Sequence, residues 1–264
     1  MQIHNTFLFT SNLDNALLPN GTQTAAAGCL ERTWELLKQL KAADYSMVYV
    51  TDHYLSLAIE SQKTFKLPDP DYWICNLGTE IHDAMGNPDK DWENKMGPTF
   101  NRKALLSVLK GNPNLRAQEE EKQGPHKLSF NYLELIDDTL RTWMSTRIGE
   151  VADGIRLIDT VADSSESASI DLVPTTAGKA QALSYLMEKL GLPKTRVFFS
   201  GDSENDLDVL MSGVCGTLLG NAARAVQDKV RERAENTESA RLILSRGYYG
   251  DGIIEGLRAY DFIR

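Results

Sequence analysis

Along the first third of the chain, short apolar runs alternate with longer amphipathic stretches. Thr6-Phe7-Leu8-Phe9-Thr10, Met47-Val48-Tyr49-Val50 and Tyr72-Trp73-Ile74-Cys75 have the length and the β-branched or aromatic character of buried strands. Between them Leu30, Trp34, Leu37 and Leu40 recur at helical spacing and predict a helix over residues 25–40. A second helix is expected over residues 54–64, stopping before Pro68, and Gly78 predicts a turn after the third strand. Strands alternating with helices at this rhythm imply a parallel sheet joined by right-handed crossovers.

The last third resumes the rhythm. Ser169-Ile170-Asp171-Leu172-Val173-Pro174 reads as a strand, followed by a loop through Gly178-Lys179 and a helix over 180–190. Arg196-Val197-Phe198-Phe199 and Val214 to Leu219 are further apolar runs, and helices are expected over 207–211, 221–236 and 252–259. The middle is different. Residues 84–94 are rich in Asp, Asn, Pro and Lys and read as a linker, while 103–109 and 133–148 look helical and 127–131 and 154–158 look like strands. Glu119-Glu120-Glu121-Lys122 is a solvated surface segment, and Ser164 to Ser169 a flexible connection. The expected fold class is α/β, a parallel-sheet core of residues 1–86 and 168–264 interrupted by an inserted α+β domain at 87–167.

Composition narrows the partners. With 264 residues, 42% hydrophobic and 25% charged, the chain can bury a real core. Its net charge of −9 comes with no dense Lys/Arg block, which argues against nucleic acid and anionic membranes as partners. A small anionic substrate would need local positive charge. The three cysteines, Cys29, Cys75 and Cys215, are widely spaced and show no metal-binding pattern, as expected of buried thiols in a reducing compartment. The N-terminus lacks a signal-peptide pattern and no window approaches ~18 consecutive apolar residues, so a cytoplasmic protein is expected.

Candidate chemistry gathers where the predicted strands end. Ser200-Gly201-Asp202-Ser203-Glu204-Asn205-Asp206 follows one strand and opens a helix, and the carboxyl edge of an open α/β sheet is where ligands bind. Carboxylates crowded on one turn repel, and a hard divalent cation such as Mg²⁺ relieves that repulsion; the plain alternative is a helix N-cap. Ser11-Asn12-Leu13-Asp14-Asn15 brings acidic and amide groups to the end of a second strand. Thr51 offers a hydroxyl donor or a cap, and Lys179, after a Gly at a helix start, an anion-holding cation or a surface charge. Taken together, the set suits phosphoryl chemistry.

In order and spacing the chain resembles the haloacid-dehalogenase-like phosphatases, and within them the sucrose-phosphate phosphatase family, which includes mannosylfructose-phosphate phosphatases. The resemblance is carried by Ser11-Asn12-Leu13-Asp14, Pro70-Asp71-Tyr72-Trp73 with Gly78-Thr79-Glu80-Ile81, Pro125-His126-Lys127-Leu128-Ser129, Asp171-Leu172-Val173-Pro174 with Gly178-Lys179, Gly201 to Asp206, Gly220-Asn221-Ala222 and Gly252-Ile253-Ile254-Glu255-Gly256-Leu257. It implies a Rossmann-like core with a cap domain over a disaccharide phosphate such as sucrose 6-phosphate. It also implies Mg²⁺ held at positions 12, 14, 202 and 206, and catalytic roles at positions 12, 14, 51 and 179. Substrate contacts are implied at Thr79, Glu80, His126, Lys127, Ser129 and Asn205, with His126, Lys127 and Ser129 near the sugar that carries no phosphate. Lys127 and Ser129 also read as the solvent face of a strand. Trp92 and Trp143 read as packing residues.

The chain departs from the family pattern at telling places. Where the family has an Asp that attacks phosphorus, this chain has Asn12, a neutral and very poor nucleophile. Asp14 and Lys179 match, as do Asp202 and Asp206, but Ala16 replaces a Thr, and Asp52-His53 stands where the family has Gly-Arg. If Asp52 faces a phosphate, like charges at ~4 Å cost about 1–4 kcal/mol. Two functions are therefore expected: Mg²⁺-dependent hydrolysis of a disaccharide phosphate, or a pseudophosphatase that binds sugar phosphate or a glycosyltransferase of the sucrose-phosphate synthase type.

Overall fold

A computed structural model describes residues 6–97, 100–134, 136–161, 168–237 and 241–264. The chain divides into two compact units, Met1–Pro88 with Lys179–Arg264, and Asp89–Gly178. The first unit opens with β1 (Leu8–Asn12), α1 (Cys29–Ala42), β2 (Met47–Val50), α2 (Leu55–Thr64), β3 (Tyr72–Cys75) and β4 (Glu80–Asp83). The second holds α3 (Lys90–Lys95), α4 (Arg102–Leu109), β5 (Leu115–Ala117), β6 (Leu128–Tyr132), α5 (Asp138–Gly149), β7 (Ile155–Val161) and β8 (Ala168–Pro174). The first unit then resumes with α6 (Lys179–Leu190), β9 (Val197–Gly201), α7 (Leu207–Leu210), β10 (Cys215–Leu218), α8 (Arg224–Glu235), β11 (Arg241–Leu244) and α9 (Tyr249–Ala259).

The first unit is built on a seven-stranded sheet in the order β11-β10-β9-β1-β2-β3-β4, parallel except for β4. All five residues of β1 are buried, as a central strand covered on both faces requires. Phe9, Leu36, Leu37, Tyr49, Trp73, Phe198, Ile253 and Leu257 share one apolar core with it. From β1 the chain moves outward to β2 and β3, and from β9 the other way to β10 and β11. The strand order therefore reverses between β1 and β9, which puts the ligand-binding edge at the ends of β1, β2 and β9. There Asn12 lies opposite Val50, and Ser11 opposite Ser200.

Several expectations shift. Helix α1 starts at Cys29, not residue 25, because Gly28 takes a left-handed conformation (φ 74°) ahead of it. Its buried face is Cys29, Thr33, Leu36, Leu37 and Leu40. Trp34 lies on the rim, with the Lys38 ammonium 4.1 Å from its ring centre and its indole N–H donating to Lys66 O (2.8 Å). The turn at Gly78 leads into β4, which returns antiparallel to β3. The expected linker at 84–94 contains α3, capped by Asp89 through the N–H groups of Asp91 and Trp92, with Trp92 buried as a packing residue.

The largest shift concerns β8. Residues 168–178 were expected in the parallel-sheet core, but β8 pairs antiparallel with β6 and β7 in the second unit's four-stranded sheet, order β5-β6-β8-β7. Ile170 and Leu172 pack with Leu105, Phe130, Leu140 and Met144 in that unit's core, with Trp143 against it. Of the connection expected at 164–169, residues 164–167 lie outside the described residues and 168–169 open β8. Helix α5 starts at Asp138, later than expected, because Asp137 accepts from Leu140 N (2.8 Å). All three cysteines are buried and none forms a disulfide. Among the described residues no helix is long and apolar enough to cross a membrane.

Candidate functional site

The turn after β9 is built around Asp206. Its side chain is fully buried, and Oδ2 accepts from the backbone N–H of Asp202 and of Ser203 (both 3.0 Å) and from Ser203 Oγ (2.9 Å). That is a capping box at the start of the turn leading into α7, so the capping reading of this acidic stretch holds for Asp206. Gly201 is required by the close approach: a Cβ there would lie 2.6 Å from Asp206 Cγ.

The other oxygen of Asp206 meets Lys179, the first residue of α6, whose side chain is 2% exposed. Its ammonium lies 2.8 Å from Asp206 Oδ1, 2.8 Å from Asp52 Oδ1 and 3.2 Å from Asn12 Oδ1. Three hydrogens meet three oxygens. Burial works against the lysine's charge, but the two carboxylates outweigh it and raise its pKa. Burial likewise opposes the charge on Asp52, and Lys179 with the Asn205 amide (Nδ2 to Asp52 Oδ2, 3.1 Å) overcomes it, leaving that carboxyl below its ordinary range. Asp202 gains less from the lysine. Its burial and the neighbouring Asp206 push its carboxyl up to about 8, against a hydrogen bond from Asn12.

Asn12 closes the cluster from the end of β1. Its Oδ1 accepts from Lys179, while its Nδ2 donates to Asp14 O (2.9 Å) and Asp202 Oδ1 (3.2 Å). Reversing the amide would aim its NH₂ at an ammonium and its oxygen at two oxygens, so the partners fix the orientation. Asp14 is held on the other side: Oδ1 accepts from Asn20 Nδ2 (2.8 Å) and Oδ2 from Thr51 Oγ1 (3.3 Å), with His53 Nε2 at 3.8 Å from Oδ2. The Thr51 hydroxyl also accepts from His53 N (3.1 Å). The structure therefore brings together Asn12, Asp14, Thr51, Lys179, Asp202, Asn205 and Asp206.

From residue 5 to 261 the chain matches the family described as sucrose-6F-phosphate phosphohydrolase. It belongs to that family. It is 29% identical over 223 residues to sucrose-phosphatase 1 of Nicotiana tabacum, a match covering 81% of this chain and 50% of the tobacco protein. It is 26% identical over 196 residues to mannosylfructose-phosphate phosphatase of Agrobacterium fabrum, covering 73% of each. The chain thus spans about half the length of the tobacco relative. Among solved structures, the sucrose-phosphatase of Synechocystis sp. PCC6803, in complex with sucrose and phosphate, has the same fold, with a TM-score of 0.79 at 22% identity over 98% of this chain and 99% of that one. A haloacid dehalogenase-like hydrolase from Bacteroides thetaiotaomicron matches with a TM-score of 0.64 at 16% identity, over 97% of this chain and 99% of that one.

For this member of the sucrose-6F-phosphate phosphohydrolase family, the donor set can be tested against the Mg²⁺ that the resemblance implies. Mg²⁺ demands oxygen ligands at about 2.0–2.1 Å in octahedral array. The candidate ligands are Asn12 Oδ1, Asp14 O and Asp202, and the corner between the last two is filled by the Asn12 NH₂. A carboxylate at position 12 would have one oxygen for Lys179 and another for the cation; the carboxamide has a single oxygen, and it faces Lys179. Both oxygens of Asp206 are engaged as well. As arranged, these residues do not fit Mg²⁺. Among the described residues there is no cluster of three or more His, Cys, Asp or Glu side chains suited to a metal ion.

The remaining expected residues make contacts of their own, Thr79 and Glu80 in the first unit and His126, Lys127 and Ser129 in the second. Thr79 is buried and donates to Asn76 O (2.9 Å), and Glu80 accepts from Asn76 Nδ2 (2.6 Å) and lies 2.9 Å from His82 Nε2. In the second unit Lys127 and Ser129 are buried, so they are not a solvent face. Both face Asp171, Ser129 Oγ donating to its Oδ1 at 2.5 Å and Lys127 Nζ forming an ion pair at 3.8 Å, while His126 lies edge-on to Phe100. The sequence reading assigned no role to Asn20, which holds Asp14, or to Asn221, which donates to Asn15 O (2.7 Å) and accepts from Tyr249 N (2.8 Å). The only available signal was an amide on the loop after a buried strand.

Proposed function

We propose that this member of the sucrose-6F-phosphate phosphohydrolase family does not hydrolyse phosphate esters. The observation that carries the reading is the carboxamide of Asn12 at the end of β1, with its oxygen on Lys179 and its NH₂ on Asp14 O and Asp202. A nucleophile here needs a lone pair on a negatively charged oxygen aimed at phosphorus; the amide oxygen is uncharged and already accepts a hydrogen bond. Asp14 remains as an acid or base, yet its oxygens are held by Asn20 and Thr51 with His53 nearby. The cluster is charge-paired from within, Lys179 meeting Asp52, Asp206 and Asn12. Nothing among the described residues supports the glycosyltransferase partner considered from sequence. Loss of a single group of a catalytic set lowers turnover by about 10⁴- to 10⁶-fold.

The test is phosphate release from sucrose 6-phosphate with Mg²⁺ present, comparing the unaltered chain with Asn12→Asp and with a triple variant adding Asp52→Gly and His53→Arg. The reading predicts no release above background from the unaltered chain and release from a restored variant. Mg²⁺-dependent turnover by the unaltered chain would refute it.

A further inference from the structure

We propose that Asp52 determines which ligands this site admits: its carboxylate occupies the place where the site's donors would hold a phosphate group, so phosphate-bearing ligands are excluded. Lys179 and Asn205 come from two separate elements, the start of α6 and the turn after β9, and converge on one carboxylate. Oδ1 lies 2.8 Å from the Lys179 ammonium, and Oδ2 accepts from Asn205 Nδ2 at 3.1 Å. An ammonium and an amide N–H meeting on two oxygens of one anion is the arrangement of an anion receptor, and here the anion belongs to the chain. The inference rests on reading the cluster as a phosphatase site, and it concerns binding where the proposal above concerns turnover.

An incoming phosphate has two ways in, and both are weakened. Beside Asp52, two like charges at ~4 Å lower affinity by about 5- to 1,000-fold. In place of Asp52, the ligand must compete with a carboxylate tethered at the site, whose effective concentration is on the order of millimolar or above. The neighbouring groups do not offset this. The third hydrogen of Lys179 is taken by Asn12, the Thr51 hydroxyl donates to Asp14, and His53 is turned to Asp14 as well. Asp206 adds a further negative charge 2.8 Å from the same ammonium.

The probe is inorganic phosphate at neutral pH, titrated into the full chain by calorimetry, with the chain unaltered and as Asp52→Gly and Asp52→Ala. The two variants guard against one of them folding poorly. At least about fivefold tighter phosphate binding by one of them than by the unaltered chain is expected, together with about tenfold loss when Asn205→Ala is added, since that removes a donor to a charged group. Equal binding by the unaltered chain and both folded variants would overturn the inference. So would variant binding that Asn205→Ala leaves untouched, because the anion would then sit elsewhere. Phosphate binding by the unaltered chain without sucrose 6-phosphate turnover overturns this inference and leaves the non-hydrolysing reading standing.

Discussion

The ends of β1 and β2 and the ends of β9 and α6 meet at one buried ammonium, yet they differ from the expected phosphatase pattern to different degrees. On the β9 side Gly201, Asp202, Asp206 and Lys179 match it; on the β1 and β2 side Asp14 matches, but Asn12, Ala16, Asp52 and His53 do not. The geometry gives the reason. Asp206 satisfies the backbone N–H groups of Asp202 and Ser203 and pairs with a buried lysine, and Gly201 makes room for it, so the fold itself needs Asp206, Lys179 and Gly201. Asn12 keeps the shape of a carboxylate and substitutes hydrogen bonds for charge. Asp52 pairs with the lysine that an incoming anion would otherwise use. On the β9 side Gly201, Asp206 and Lys179 therefore testify to folding, and the departures on the β1 and β2 side report on chemistry.

The sharpest way to break that comparison is Asp206→Ala. It removes the capping acceptor and one of the two carboxylates facing Lys179, and loss of one partner of a buried ion pair costs about 3–5 kcal/mol. Denaturant unfolding should show this. A change within about 0.5 kcal/mol would mean that the β9 side is not structural. Gly201→Ala should follow at about 1–3 kcal/mol, since its Cβ would meet Asp206 Cγ at 2.6 Å. A neutral result in the same unfolding experiment would show that the turn yields without strain.

How much of this was legible in the sequence depends on what each residue does. Apolar runs located β1, β2, β3, β9 and β10 because these strands are buried, and burial is what an apolar run encodes. Strand β8 was recognised as a strand but placed in the other sheet, since Ile170 and Leu172 signal burial and not a pairing partner. The short edge strands β4, β5 and β11 were missed; Glu80-Ile81-His82-Asp83 and Leu115-Arg116-Ala117 carry too little apolar content to announce themselves. At the site, strand ends pointed to positions 12, 14, 51, 202 and 206, because the carboxyl edge of a parallel sheet follows from strand order, while Lys179 was marked by a Gly at a helix start. The direction of the Asn12 amide, the commitment of Asp52 to Lys179 and the hold of Asn20 on Asp14 were not legible. Side chains on loops have no period from which to read an orientation, and these contacts join residues up to 190 positions apart.

The most direct measurement of the central claim is thermal unfolding with and without millimolar Mg²⁺, for the unaltered chain and for Asn12→Asp. If the Asn12 NH₂ fills the cation's corner, the unaltered chain keeps its Tm, while Asn12→Asp, with a second oxygen free for the cation, gains several degrees; a ligand at 100 times its Kd stabilises by about 2.7 kcal/mol. A Tm rise of equal size in the unaltered chain, abolished by chelation, would contradict the account.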